Sequence, residues 1–245
     1  MNAIDAYYTA IGSLLAEAVE RERDRMEAAA GLVADCVQRG GLVYVTGTGH
    51  AHMLAEEPFY RAGGLAAIHP ILVPSLMLHE GAVRSTQLER SPDLARDAMG
   101  GLDFGAEDVL IVASHSGRNA FPVEAAMIAR ERDTPVIALT SVAHGSRTSS
   151  RHSSGERLMD VADIVLDTGV PYGDATVPLG EGRPAVAPAS TVVGAFLMNA
   201  VMARATQLLF ERGADPDVFV SANRAEGEPM AADRLAYWRE RIRLL

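Results

Sequence analysis

Five short and almost wholly apolar runs, separated by stretches of helical periodicity, constrain this chain more than any other feature. They occupy residues 42–46, 71–73, 109–113, 136–139 and 164–166. A strand that is apolar on every position is buried on both faces, which is the habit of a parallel sheet covered by helices. Strands alternating with helices are joined by right-handed crossovers. The pattern therefore predicts an α/β protein: a three-layer α-β-α sandwich around a five-stranded parallel sheet.

The intervening segments fit that frame. Ile4, Tyr8, Ile11, Leu15, Val19, Leu32, Val33 and Cys36 recur at helical spacing, which predicts one long or two abutting amphipathic helices ahead of the first strand. Gly40 and Gly41 end that helical extension, about residues 1–40. Further helices are expected over 156–162, over the apolar stretch 192–210, and over a polar C-terminal stretch, 230–242, that carries Trp238. Residues 141–155 and 168–188, rich in Ser, Gly and Pro, lack periodicity and read as functional or mobile loops. A length of 245 residues suffices for one such domain spanning the whole chain.

Composition excludes several classes. A formal charge of -10 with no Lys/Arg cluster disfavours nucleic-acid binding. One cysteine, Cys36, cannot form an internal disulfide and suits a reducing compartment. The start of the chain lacks the layout of a secretory signal, and Arg, Glu or Asp interrupts each apolar candidate for a membrane span. A cytoplasmic protein without membrane contact is expected.

Chemistry is expected where strands end. The third run leads into Ser114, His115, Ser116, Gly117, Arg118 and Asn119, then into a helical pattern. The carboxyl ends of strands line the ligand crevice of an open parallel sheet, and a helix start there presents free N–H groups to an anion. Ser114 and Ser116 can donate hydroxyl hydrogen bonds, Gly117 lets the backbone approach closely, and Asn119 is placed to cap the helix. Phosphate suits such a turn, with Arg118 as a further partner. The first strand leads into Gly47, Thr48, Gly49, His50, Ala51 and His52, which lacks the third glycine of a dinucleotide fingerprint, so no cofactor is expected. Thr140 and Ser141 follow the fourth run in the same way. His50, His52 and His79 form only a weak metal pattern, and no metal is assigned.

The order Ser114, Ser116, Gly117, Asn119 resembles the phosphate loop of the sugar isomerase (SIS) domain family, Ser-x-Ser-Gly-x-Thr/Asn. The resemblance runs over nearly the whole chain and implies a five-stranded parallel sheet binding a phosphorylated sugar. The length and leading helices resemble phosphoheptose isomerases. The stretches Glu56, Glu57, Pro58, Phe59 and Ser190, Thr191 to Asn199 resemble N-acetylmuramic acid 6-phosphate etherases. His50, Ala51 and His52 depart from the Ser or Thr common in the family.

Aldose–ketose interconversion needs a base beside the carbonyl and an acid for its oxygen. Glu57, His79 and Glu80 are the catalytic candidates, with Glu56 beside them. Gly47, Gly49, His50, His52, Ser114 to Asn119, Thr140, Ser141, Ser190 and Thr191 are the binding candidates. An aldose/ketose phosphosugar isomerase is the leading expectation, with an amino-sugar phosphate lyase or etherase and a sugar-phosphate sensor as alternatives. The resemblance also implies a homodimer or homotetramer.

Overall fold

A computed structural model of the chain describes residues 2–221 and 230–245. The first element is a single uninterrupted helix, α1 (Ala3–Gln38), rather than two abutting ones. Its 36 residues span about 54 Å at 1.5 Å per residue. Asn2 caps it by accepting from the Asp5 amide at 3.0 Å. Strand β1 (Val43–Gly47) follows, then the short α2 (His52–Glu56) and β2 (Ile68–Ile71). Two small helices, α3 (Ala82–Leu88) and α4 (Leu94–Met99), lead to β3 (Val109–Ala113) and α5 (Ala120–Glu131). Next come β4 (Val136–Thr140), α6 (Val142–Gly145), α7 (Leu158–Val161) and β5 (Ile164–Asp167). A small hairpin, β6 (Ala175–Val177) with β7 (Val186–Pro188), precedes α8 (Ser190–Glu211) and α9 (Ala232–Arg241).

The five main strands form one parallel sheet in the order β2-β1-β3-β4-β5. Successive side chains point to opposite faces. Val43, Val45, Val109, Ile111, Ile137 and Leu139 pack with Ala29, Val33, Leu197 and Val201 of α1 and α8. Tyr44, Leu110, Val112 and Ala138 face the other layer, with Phe121, Ala125, Leu158 and Trp238. This is the three-layer sandwich that the apolar runs dictate.

Two segments differ from their sequence reading. Strand β2 lies at Ile68–Ile71, three residues before the run at 71–73. His69 and Pro70 interrupt its apolar signature, and Pro70 is tolerated because β2 is an edge strand, where a missing N–H breaks no ladder on the open side. Helix α8 is long and apolar enough, by length and composition, to cross a membrane, contrary to the sequence expectation that no stretch reaches that length. Its apolarity has a use in the fold: Val193, Leu197, Met198, Val201, Met202 and Leu209 are buried, and the helix packs along α1.

Candidate functional site

Strands β1 and β3 are neighbours whose ends are level, Gly47 pairing with Ala113. The chain leaves β1 toward β2 on one side and later fills β3, β4 and β5 on the other. The crevice outside these two strand ends is the topological switch point, the place where open parallel sheets bind ligands. A cavity of about 380 Å³ lies there, with Thr48, Glu89, Ser114, Ser116, Asn119 and Asp174 among its lining residues. That volume is in the range of small-molecule sites.

The loop after β3 is braced from behind and open in front. The Ser114 hydroxyl accepts from the Gly117 amide at 3.2 Å. The carbonyl of His115 accepts from the Ser141 amide at 3.1 Å and the Thr140 hydroxyl at 3.3 Å. Those of Gly117 and Arg118 accept from the amides of Leu158 and Arg151 at 2.7 and 2.8 Å. Gly117 has φ +58, and a Cβ there would meet Thr140 Oγ1 at 3.0 Å and Leu158 Cβ at 3.3 Å. Glycine is required both by that conformation and by that approach. Among the described residues, the amides of Ser116, Arg118, Asn119 and Ala120 have no protein partner, nor does the Ser116 hydroxyl. Unpaired donors at the start of a 12-residue helix are an arrangement suited to an anion.

Asn119 immediately precedes α5, but its side chain does not cap it, contrary to the sequence reading. It reaches sideways: Nδ2 donates to Glu89 Oε1 at 2.7 Å, and Oδ1 accepts from Arg151 Nη1 at 2.9 Å. The other Glu89 oxygen accepts from the Thr48 hydroxyl at 2.7 Å. Glu89 is thus held between the turns that follow β1 and β3. Burial pushes its carboxyl above the usual carboxylate range, against the Thr48 hydrogen bond and the charges of Arg90 and Arg151. Sequence reasoning missed Glu89, which lies just past a short polar helix, 41 residues from Thr48 and 30 from Asn119.

The turn after β1 separates its two histidines. Gly47 leaves no room for a Cβ, which would fall 2.5 Å from the Ala51 carbonyl, and Gly49 has φ +56. His50 is exposed and lines the cavity. His52 is buried at the start of α2, outside the cavity lining, where its Nε2 accepts from the Val73 amide at 3.4 Å. Burial drives its pKa down to about 4. Among the described residues, no group of three His, Cys, Asp or Glu side chains stands close enough to hold a metal ion.

On the far wall Asp174 takes up the start of α8. Its Oδ1 accepts from the Ala189 and Ser190 amides at 2.9 and 2.7 Å, and its Oδ2 from the Ser190 hydroxyl at 2.7 Å. Ser190 and Thr191 line the cavity, as does His115. Thr140 and Ser141 do not line it; they are buried behind the loop, Ser141 Oγ donating to the Val170 carbonyl at 2.7 Å.

The three acid–base candidates of the sequence reading also stand outside the cavity lining. Glu57 caps the C-terminus of α2, paired with Arg61, and its Oε1 accepts from Asn199 of α8 at 2.8 Å. His79 and Glu80 are exposed neighbours, 3.7 Å apart. Arg118 lies outside the lining too, its buried Nε without a partner.

Fold and site together define a class: an α/β protein with a cavity and open hydrogen-bond donors at the switch point of a parallel sheet. The chain belongs to the SIS domain family, whose sequence model matches residues 6–141. It is similar to a UPF0309 protein of Geobacillus kaustophilus, 41% identical over 242 residues that cover 99% of this chain and 96% of that one. A UPF0309 protein of Listeria innocua is 43% identical over 232 residues, covering 95% and 94%. Among solved structures, the phosphoheptose isomerase of Neisseria gonorrhoeae is similar with a TM-score of 0.56 at 19% identity, covering 83% of this chain and 97% of that one. The Vibrio vulnificus NanR protein, solved with ManNAc-6P, is similar with a TM-score of 0.52 at 17% identity, covering 86% and 65%. At such identities the likeness is one of fold.

Proposed function

We propose that the chain binds a phosphorylated sugar in the switch-point cavity and interconverts its aldose and ketose forms. One observation carries this reading: an unpaired amide and hydroxyl cradle shares a cavity with a carboxyl group held above its usual pKa. The cradle takes the phosphate, with the hydroxyls of Ser114 and Ser116 and the amides of Ser116, Arg118, Asn119 and Ala120 as donors. Glu89 takes the proton from the hydroxyl-bearing carbon beside the carbonyl and returns it to the former carbonyl carbon, in place of Glu57, His79 or Glu80. The hydroxyl proton passes from that carbon's oxygen to the former carbonyl oxygen across the intermediate enediol. A raised pKa suits that task, because a base works best when its pKa lies near the operating pH. Membership of a family with phosphoheptose isomerases among its fold relatives supports the ligand class.

The test is turnover of a panel of aldose and ketose phosphates, alongside thermal stabilisation by each. Glu89→Gln should lower kcat by about 10²- to 10⁴-fold, the usual worth of general acid–base catalysis, and leave stabilisation by ligand in place. Stabilisation with no turnover by the wild type would make the chain a sugar-phosphate sensor. That second reading draws on the occupation of both Glu89 oxygens by Thr48 and Asn119, which makes Glu89 a latch between two turns.

A homodimer or homotetramer is part of the same proposal, since Ile4 and Tyr8 stand exposed on the far end of α1. A monomer by light scattering at micromolar concentration would remove it. Cys36, buried and unpaired, suits the cytoplasm as the proposed location.

A further inference from the structure

The loop at residues 141–155, which the proposed chemistry leaves unused, sends one side chain to the site. Arg151 Nη1 donates to Asn119 Oδ1 at 2.9 Å, and Asn119 Nδ2 donates to Glu89 Oε1 at 2.7 Å. The backbone of Arg151 is anchored: its amide donates to the Arg118 carbonyl at 2.8 Å. The next residue, His152, stands with Nε2 3.7 Å from Glu124 Oε1 of α5. The guanidinium goes to a neutral amide, although Glu89 lies within reach of its charge.

The relay from Arg151 through Asn119 to Glu89 can run one way only. A guanidinium donates and never accepts, so it claims the Oδ1 end of the amide and turns Nδ2 toward Glu89. With the Thr48 hydroxyl on Oε2 at 2.7 Å, both Glu89 oxygens then meet donors, which is what an ionised carboxylate needs. Without Arg151 the amide is free to turn over. Oδ1 would then face Glu89 and accept from its protonated form, adding to the preference for the acid that burial already imposes. The other charged or titratable groups near Glu89 are Arg90 beside it, Arg118 beside Asn119, and Asp174, His50 and His115 in the cavity lining. None of these bonds the Asn119 side chain.

We propose that Arg151 is a positioning residue: it sets which way the Asn119 amide faces, and through that amide holds Glu89 as the proton acceptor from which the reaction starts. Its part in catalysis rests on the reading of Glu89 as the base; its hold on the amide does not.

Four variants of the full chain separate orientation from charge. Arg151→Ala removes both, Arg151→Gln keeps a donor for Oδ1 without the charge, Arg151→Lys keeps both, and Arg90→Gln removes a neighbouring charge that holds no amide. On the acid limb of the kcat/KM profile for the best sugar phosphate, Arg151→Ala should lose about tenfold or more, the usual weight of a charge and a hydrogen bond withdrawn from a carboxylate. On the alkaline plateau it should lose less than about threefold, whereas a merely damaged fold would lose equally at every pH. Gln should recover part of the acid-limb loss and Lys most of it, and Arg90→Gln should lose less than Ala. A loss in Ala no larger than in Arg90→Gln, or no recovery by Gln, would overturn the assignment. A second readout needs no turnover. At pH 7.5 Glu89→Gln should raise the Tm by more in the Arg151→Ala background than in the wild type, because there it removes a carboxylate that the amide no longer supports. Equal gains would overturn the inference as well. If no sugar phosphate turns over, the catalytic reading of Glu89 falls, and the melting comparison alone decides whether Arg151 holds that carboxyl.

Discussion

Two helices begin at the same cavity and are treated in opposite ways. At α8 the protein supplies its own anion: the Asp174 carboxylate lies across the Ala189 and Ser190 amides and the Ser190 hydroxyl. At α5 the residue best suited to cap is turned away, Asn119 being committed to Glu89 and Arg151; the Phe121 amide goes to the Glu89 carbonyl at 3.1 Å, and the Ala120 amide and the loop amides before it are left open. A helix start carries partial positive charge in either case. The difference shows that a helix terminus is not by itself a binding site. What differs at α5 is that no side chain caps it, Asn119 being bonded elsewhere, so its Ala120 amide stays free for a ligand.

The comparison can be broken from either side. Ser116→Asp would give α5 its own carboxylate, as α8 has, and place it against the incoming phosphate. Sugar-phosphate binding should fall by about a hundredfold or more, since two like charges a few ångströms apart in a partly buried site repel by several kcal/mol. Undiminished affinity by calorimetry would show that the anion does not sit on this loop. Asp174→Ala does the reverse, stripping α8 of its anion. It should cost about 2 kcal/mol of stability through the lost cap and helix-dipole interaction, seen as a Tm lower by roughly 4–8 °C. Phosphate affinity at α5 should stay within about threefold; a large loss would mean that both helix starts serve one ligand.

The contrast also marks how far the sequence is informative. Strands β1, β3, β4 and β5 match their apolar runs to within a residue or so, because burial on both faces leaves an uninterrupted local signature. The turn after β3 is legible for a related reason: serine and glycine at fixed offsets after a strand are a local pattern. What escapes is whatever depends on distant partners. Glu89 looks like any surface glutamate until the fold brings Thr48 and Asn119 to it, whereas Glu57, closer in sequence to the first turn, points to α8. Asp174 is hidden likewise in a Gly- and Pro-rich stretch, where its φ of +70 and the three-residue strands of the hairpin leave no periodic trace.

The smallest effect expected concerns pH and the latch beside the open helix. Glu89 has a folded pKa raised above its unfolded value, so its contribution to stability is full below the unfolded pKa and is lost as pH rises through the folded one. Glu89→Gln keeps an acceptor for Asn119 and a donor for Thr48, and carries no charge to desolvate. At pH 7.5 the variant should therefore melt slightly higher than the wild type, and the gap should close near pH 4. His52 has the opposite sign: depressed to about 4 from 6.5, it contributes stability that is present above pH 6.5 and lost as pH falls toward 4. That loss, on the order of 2–3 kcal/mol, is common to both proteins and cancels when they are compared at the same pH. A bound phosphate adds negative charge near Glu89 and pushes its pKa up further, so phosphate should stabilise the Gln variant more than the wild type at pH 7.5. Equal phosphate-induced shifts in the two proteins would place the anion beyond electrostatic reach of Glu89, and with it any sugar carbon that Glu89 is meant to deprotonate.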